Sequence, residues 1–150
     1  MEGRQEYNHQ PLVSVVVPLY NHERYITECL ESVKTCGYPN LELIVIDDDS
    51  KDDSYRLAFE WGQANESAFK NFILETKPNE GIVKTLNHAI RKTSGKFIAP
   101  LASDDYMIIM DSNCLWIRSL RNYFLYSGDV KTTRQLLPFA RKLINLLHSY

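Results

Sequence analysis

A three-layer α/β sandwich with a mainly parallel sheet, followed by C-terminal helices, is the fold this 150-residue sequence predicts, and three observations carry it. Short β-branched runs alternate with segments whose apolar residues recur at helical spacing, the βαβ pattern of a parallel sheet covered on both faces. Two of the runs end abruptly in acid, at Asp47-Asp48-Asp49 and at Asp104-Asp105. In open α/β sheets that end of the strands is where ligands bind. Beyond residue 110 the alternation stops, and helical spacing and basic residues take over.

Residues 1–10 are polar and are expected to form a disordered leader to a domain at 11–110. The first strand is expected at 12–17, a Leu-Val-Ser-Val-Val-Val run closed by Pro18, which has no N–H to give a ladder. A helix follows at 23–36, with Tyr25, Ile26, Cys29, Leu30 and Val33 on one face, and it should stop near Gly37 and Pro39. Residues 41–46, Leu-Glu-Leu-Ile-Val-Ile, form a second strand buried on both faces, and it runs into five carboxylates, Asp47, Asp48, Asp49, Asp52 and Asp53. Next come a helix at 54–68, a short strand at 72–74, a loop at 77–81, a helix at 82–93 and a fourth strand at 96–101 leading to Ser103-Asp104-Asp105. In the tail at 111–150, Leu115, Ile117, Leu120, Phe124 and Leu125 suggest one helix, and the apolar residues between Leu136 and Leu147 a second.

The chain is 44% hydrophobic and 24% charged, ordinary for a soluble globular domain. Charge is unevenly placed. Residues 1–110 hold 11 Lys and Arg against 17 Asp and Glu, whereas 111–150 hold 6 against 2. An acidic sheet domain, and a tail without basic residues interleaved with aromatics, argue against a nucleic-acid partner. Three cysteines without a CxxC pair indicate neither a disulfide framework nor a zinc site, and the simplest setting is reducing. The expected location is the cytoplasm. The basic amphipathic tail is expected to pack on the sheet domain or on a second copy, with an anionic inner membrane face as the alternative surface.

Adjacent carboxylates repel one another unless water, a cation or a donor relieves them. Asp49, Asp52 and Asp53 read as a solvated turn and helix cap. Asp47, Asp48, Asp104 and Asp105, at the ends of two strands, suit a divalent cation and a nucleotide diphosphate, because magnesium and manganese take one or two carboxylates together with phosphate oxygens. No GxGxxG follows the first strand, which argues against a dinucleotide oxidoreductase. A receiver-like phosphotransfer domain also carries acid pairs at strand ends, but the Tyr20-Asn21 turn and the 79–87 segment argue against it.

Val13-Ser-Val-Val-Val-Pro-Leu-Tyr-Asn21, then 41–50, Asn79-Glu-Gly-Ile, Asn87-His-Ala-Ile, Gly95-Lys-Phe-Ile and Ser103-Asp-Asp105, in this order and at these intervals, resemble the nucleotide-sugar domain of family 2 glycosyltransferases. The resemblance covers about residues 12–106 and implies the GT-A fold, a Rossmann-like three-layer sandwich. It implies that Pro18 and Tyr20 line the nucleobase pocket and that Asp48 accepts a hydrogen bond from the base. Asp47 would support that contact or the ribose, and Lys84 would stand near the diphosphate. Asp104 would contact the ribose or a metal-bound water, and Asp105 would ligate Mn2+ or Mg2+. The implied reaction is inverting transfer of a sugar from a nucleotide-diphosphate donor, UDP-linked by expectation, to a glycan or lipid-linked acceptor.

Two positions depart from the family pattern, which commonly has Gly at Asp49 and Asp at Ala102. After the Asp pair the chain enters the tail directly, so no catalytic base is assigned. Asp111 and Asp129 are the carboxylates left there, and both read as helix caps. The alternative to a transferase is a binding or assembly module that keeps the nucleotide pocket in a shortened chain.

Overall fold

β1 (Val13–Leu19) and β2 (Leu41–Asp47) form the centre of the sheet because nearly every residue in them is buried, on both faces. The computed structural model describes residues 11–111, 114–118 and 123–125. The elements run β1, α1 (Ile26–Thr35), β2, α2 (Ser54–Asn65), β3 (Asn71–Thr76), α3 (Ile82–Arg91) and β4 (Phe97–Pro100). The four strands are parallel in the order β3-β2-β1-β4.

Alternation along the strands sorts side chains between two cores. Val13, Val15, Val17 and Leu19 of β1, with Leu41, Leu43 and Val45 of β2, face Ile26, Cys29, Leu30 and Val33 of α1 and Ala58 and Trp61 of α2. Val16, Ile44 and Ile46 face the other way and pack with Ala89 of α3 and Ile98 of β4. The chain steps outward from β1 to β3 with helices on one face, then returns past β1 to β4 with α3 on the other. A parallel crossover of fixed hand requires that change of face when the direction across the sheet reverses.

Several boundaries differ from the expected ones. β1 continues through Pro18 to Leu19, in register with β2. Leu101 donates to the Val16 carbonyl, so Pro18, two residues on, directs its nitrogen to the same side, beyond the last β1–β4 pair at Val16 and Pro100. The missing N–H therefore costs no rung. Gly37 follows α1 with φ of 85°, the left-handed cap expected there. α2 ends at Asn65 and continues as a single 3-10 turn, Glu66–Ala68.

The larger correction concerns the tail. The segment expected as a first helix contains strands: β5 (Tyr106–Asp111), β6 (Cys114–Arg118) and β7 (Tyr123–Leu125) make an antiparallel meander. Leu115, Ile117 and their neighbours fit a period of two as well as a helical one, and such short runs are decided by pairing partners rather than by spacing. Asp111 ends β5 instead of capping a helix, and β5 runs through the boundary expected at residue 110. β5 is tied to the main domain by the Met107 amide, which donates to Ser32 Oγ at 2.9 Å, and by Met107 itself in the α1-side core. The expected leader, the second tail helix and Asp129 lie outside the described residues.

At the N-terminal end of the strands Glu42 is fully buried. Its carboxylate accepts from Ser14 Oγ, from the amide and hydroxyl of Ser94, and from the Gly95 amide. Burial alone would raise its pKa, but these donors outweigh it and hold the group below the usual carboxylate range. Gly95 is needed for this closure, since a Cβ there would stand 2.8 Å from the Ser14 nitrogen and 2.9 Å from the Leu12 carbonyl oxygen.

Candidate functional site

Pro18, Tyr20, Asp47, Asp48, Asp104 and Asp105 lie at or just beyond the C-terminal ends of β1, β2 and β4, whereas Lys84 lies on α3. The strand order reverses between β1 and β4, so the crevice outside those two strand ends is the topological switch point.

The loops after β1 and β2 are stitched together reciprocally. The Asn21 amide donates to Ser50 Oγ at 2.9 Å, and the Lys51 amide returns to Asn21 Oδ1 at 2.7 Å. The Glu23 amide donates to Asp52, and the Asp53 amide donates to Glu23, both at 3.1 Å. Asn21 and Asp49 hold φ of 50° and 64°, left-handed values that Asn and Asp tolerate better than most residues. Asp49, where the resemblance leads one to expect Gly, thus occupies a backbone position that suits Gly. Asp49 pairs with Lys51 in the solvated turn, and Asp53 with Arg56 on α2.

Asp47 and Asp48 are both buried at the tip of β2, and the structure brings them together with β3. Asp47 Oδ2 accepts from the Ser50 amide at 3.2 Å and from Thr76 Oγ1 at 3.0 Å, while its buried Oδ1 has no partner. Asp48 takes the Lys77 ammonium at 2.5 Å and the amides of Glu80 and Gly81 at 3.0 and 2.9 Å. Burial would raise the Asp48 pKa, but Lys77 and the two amides reverse that effect and bring it down to about 2. Lys77, itself 9% exposed at the side chain, is pushed the other way: burial disfavours its charge, and Asp48 and Glu80 more than restore it.

Lys77 is the residue the sequence reading missed. It stands directly after β3, and a basic residue one step past a strand end, level with the Asp47-Asp48 tip in a parallel register, is the available signal. Lys84, the cation expected near the diphosphate, is exposed on α3 and contacts Glu80 at 3.4 Å, so it reaches the Asp48 cluster through Glu80. Gly81, with φ of 86°, opens α3, and its amide is spent on Asp48.

On the far side of β1, Ser103 is buried, Asp105 half-buried and Asp104 exposed. His22 Nδ1 and Ser103 Oγ lie 2.7 Å apart and join the loop after β1 to the loop after β4. Beneath them Cys29 reaches the Ala102 carbonyl, and burial first, then Asp105 and Asp104, hold its thiol far above the ordinary range. Cys29 is accordingly a packing residue, not a nucleophile. Tyr20 is 45% exposed, which removes it from the core, and Pro18 is half-buried beside it in sequence.

Among the described residues no group of three or more His, Cys, Asp or Glu is placed to hold a metal by itself. Asp104 and Asp105 are hard oxygen donors at an accessible turn, and they fit an ion of the magnesium or manganese kind that draws its other ligands from a bound phosphate and water. Also among the described residues, no helix is long and apolar enough to cross a membrane.

Comparison with known proteins bears on the fold and the family. The family model for glycosyl transferase family 2 matches residues 14–114. The putative glycosyltransferase EpsE of Bacillus subtilis is 35% identical over 98 residues, which is 65% of this chain and 34% of EpsE. Chondroitin synthase of Escherichia coli is 38% identical over 97 residues, 65% of this chain and 14% of the synthase. The chain therefore spans about a third or less of the length of these relatives. Among solved structures, the mannosyltransferase PcManGT of Pyrobaculum calidifontis, in complex with GDP-Man and Mn2+, aligns with a TM-score of 0.61 at 26% identity, covering 71% of this chain and 30% of that one. S. aureus TarS 1-349 in complex with UDP-GlcNAc aligns with a TM-score of 0.56 at 31% identity, covering 64% and 27%. The sheet and its flanking helices are those of the GT-A glycosyltransferases. The chain belongs to glycosyl transferase family 2.

Proposed function

We propose that this chain forms the donor-binding part of a glycosyltransferase that takes a nucleotide-diphosphate sugar, UDP-linked, and passes the sugar to a hydroxyl of a glycan or lipid-linked acceptor with inversion. The observation that carries the reading is Asp47 Oδ1, a buried carboxylate oxygen without a partner at the strand tips, in a chain matched by the family model. Such an atom costs free energy until a donor reaches it, and the N–H or hydroxyl groups of a nucleoside are donors of that kind. Exposed Tyr20 and Pro18 flank the base, and Asp48 contributes directly and through the 80–81 loop that it fastens. Lys84, exposed on α3, offsets phosphate charge. Asp105, with Asp104 beside it, would hold Mn2+ or Mg2+, and such an ion would supply neutralisation of the departing diphosphate. The rest of the work falls to this chain's residues as positioning: a held donor presents its anomeric carbon to the acceptor hydroxyl in line with the leaving group.

Support comes from relatives of two nucleotide classes, one solved with UDP-GlcNAc and one with GDP-Man and Mn2+. Isothermal titration with UDP and with GDP, each with and without Mn2+, tests the reading. UDP is expected to bind, more tightly with Mn2+, and Asp105→Ala is expected to abolish the Mn2+ effect. Asp48→Ala should weaken UDP binding under both conditions. A chain that binds neither nucleotide overturns the proposal, and preference for GDP replaces its donor.

A further inference from the structure

Contacts to β1, to α1 and to the loop after β1 hold the segment between β4 and the acid pair. The Leu101 amide donates to the Val16 carbonyl at 2.9 Å, Cys29 Sγ reaches the Ala102 carbonyl at 3.6 Å, and Ser103 Oγ meets His22 Nδ1 at 2.7 Å. The third is a bond between two side chains, made immediately before Asp104 and across the point where the chain reverses direction over the sheet. His22 is itself held on every side. Its amide donates to Ser54 Oγ at 2.7 Å, its carbonyl accepts from the Tyr25 and Ile26 amides at 3.0 Å, and its ring meets Tyr25 edge-on at 6.1 Å between centroids. The imidazole therefore moves with the N-terminal end of α1. Ser103 is 2% exposed and belongs to the turn closed by the Asp105 amide on the Ala102 carbonyl.

We propose that His22 is a positioning residue: through Ser103 it fixes the turn bearing Asp104 and Asp105 in the one orientation in which a divalent cation and a nucleotide diphosphate bind together. The inference rests on the donor-site reading above. A turn already held pays less ordering entropy when the ion arrives, so the clamp strengthens the cooperation between metal and nucleotide rather than the affinity for nucleotide alone. One part-buried hydrogen bond is worth about a fivefold to tenfold change in that cooperation.

The test measures UDP affinity with no metal and with saturating Mn2+, by titration calorimetry, for the wild-type chain, His22→Leu, His22→Asn and Ser103→Ala. Asn carries a polar atom at the same remove from the backbone as Nδ1, whereas Leu carries none. His22→Leu and Ser103→Ala are expected to leave metal-free UDP affinity within about twofold and to cut the Mn2+-induced gain about fivefold, with His22→Asn restoring most of it. A clamp that serves stability alone would leave the gain intact in every folded variant, and that result overturns the inference by itself. Equal loss with and without metal also overturns it. A wild-type chain whose UDP affinity Mn2+ does not change overturns the donor-site reading together with this inference.

Discussion

Asp48 and Lys77 bury opposite charges against each other; removing Asp48 leaves Lys77 with Glu80 as its carboxylate, and removing Lys77 leaves Asp48 with only uncharged donors. Asp48→Asn and Lys77→Met are each expected to cost about 3 kcal/mol, while the double variant costs clearly less than the sum. Urea denaturation of the four proteins measures this. The pair also sets an acid limit. Because the folded pKa of Asp48 is lowered to about 2, below its unfolded value, its stabilisation is complete above about pH 4 and is lost as pH falls toward 2. That span corresponds to roughly 2 to 3 kcal/mol at most. Glu42, also held below its usual range, adds in the same direction. Acid titration of Asp48→Asn should therefore show a shallower loss of stability below pH 4 than the parent chain. At this scale the sequence was half legible. Asp47 and Asp48 announce themselves because they terminate an apolar run, but Lys77 does not, since its partner lies 29 positions away in the chain and only the β2–β3 register reveals it.

Elements were legible where one face had to be covered. α1 showed itself through Ile26, Cys29, Leu30 and Val33, which are the residues it buries, whereas Tyr25, expected on the same face, precedes the helix and is exposed. The strands after residue 105 were not, because a short apolar run carries no record of which partner will pair with it. Glycine marks the close approaches between elements. Gly95→Ala would drive a methyl into the β1 backbone and disturb the Glu42 network, and a drop in thermal midpoint of several degrees is expected in differential scanning calorimetry. Gly62→Ala meets the Phe72 ring instead, a side chain rather than backbone, so its drop should be smaller. Asp49→Gly should run the other way, leaving the midpoint unchanged or raised by a degree or two, because the left-handed backbone there suits glycine and the exposed Lys51 pair it gives up contributes little.

Across the whole molecule, protection should follow depth in the sheet. β1 and β2 are flanked by strands and covered by helices on both faces, so their amides should exchange with deuterium last, after those of β3 at the edge and of the loop at 77–81. Exchange mass spectrometry resolves that order. The fold class was readable because the order of elements and the acid at two strand tips both follow from chain chemistry. The strand-end position of the candidate residues was readable, their contacts less so, because the hydrogen bonds among Asn21, Ser50, Lys51, Glu23 and Asp52 depend on how two loops meet. The polar closure of Glu42 with Ser14, Ser94 and Gly95 sits at the opposite end of the strands from all of those loops. Its consequence lies in descent with modification: the foundation is fastened independently of the rim, so substitutions can rewrite what the rim recognises while the strands beneath keep their register.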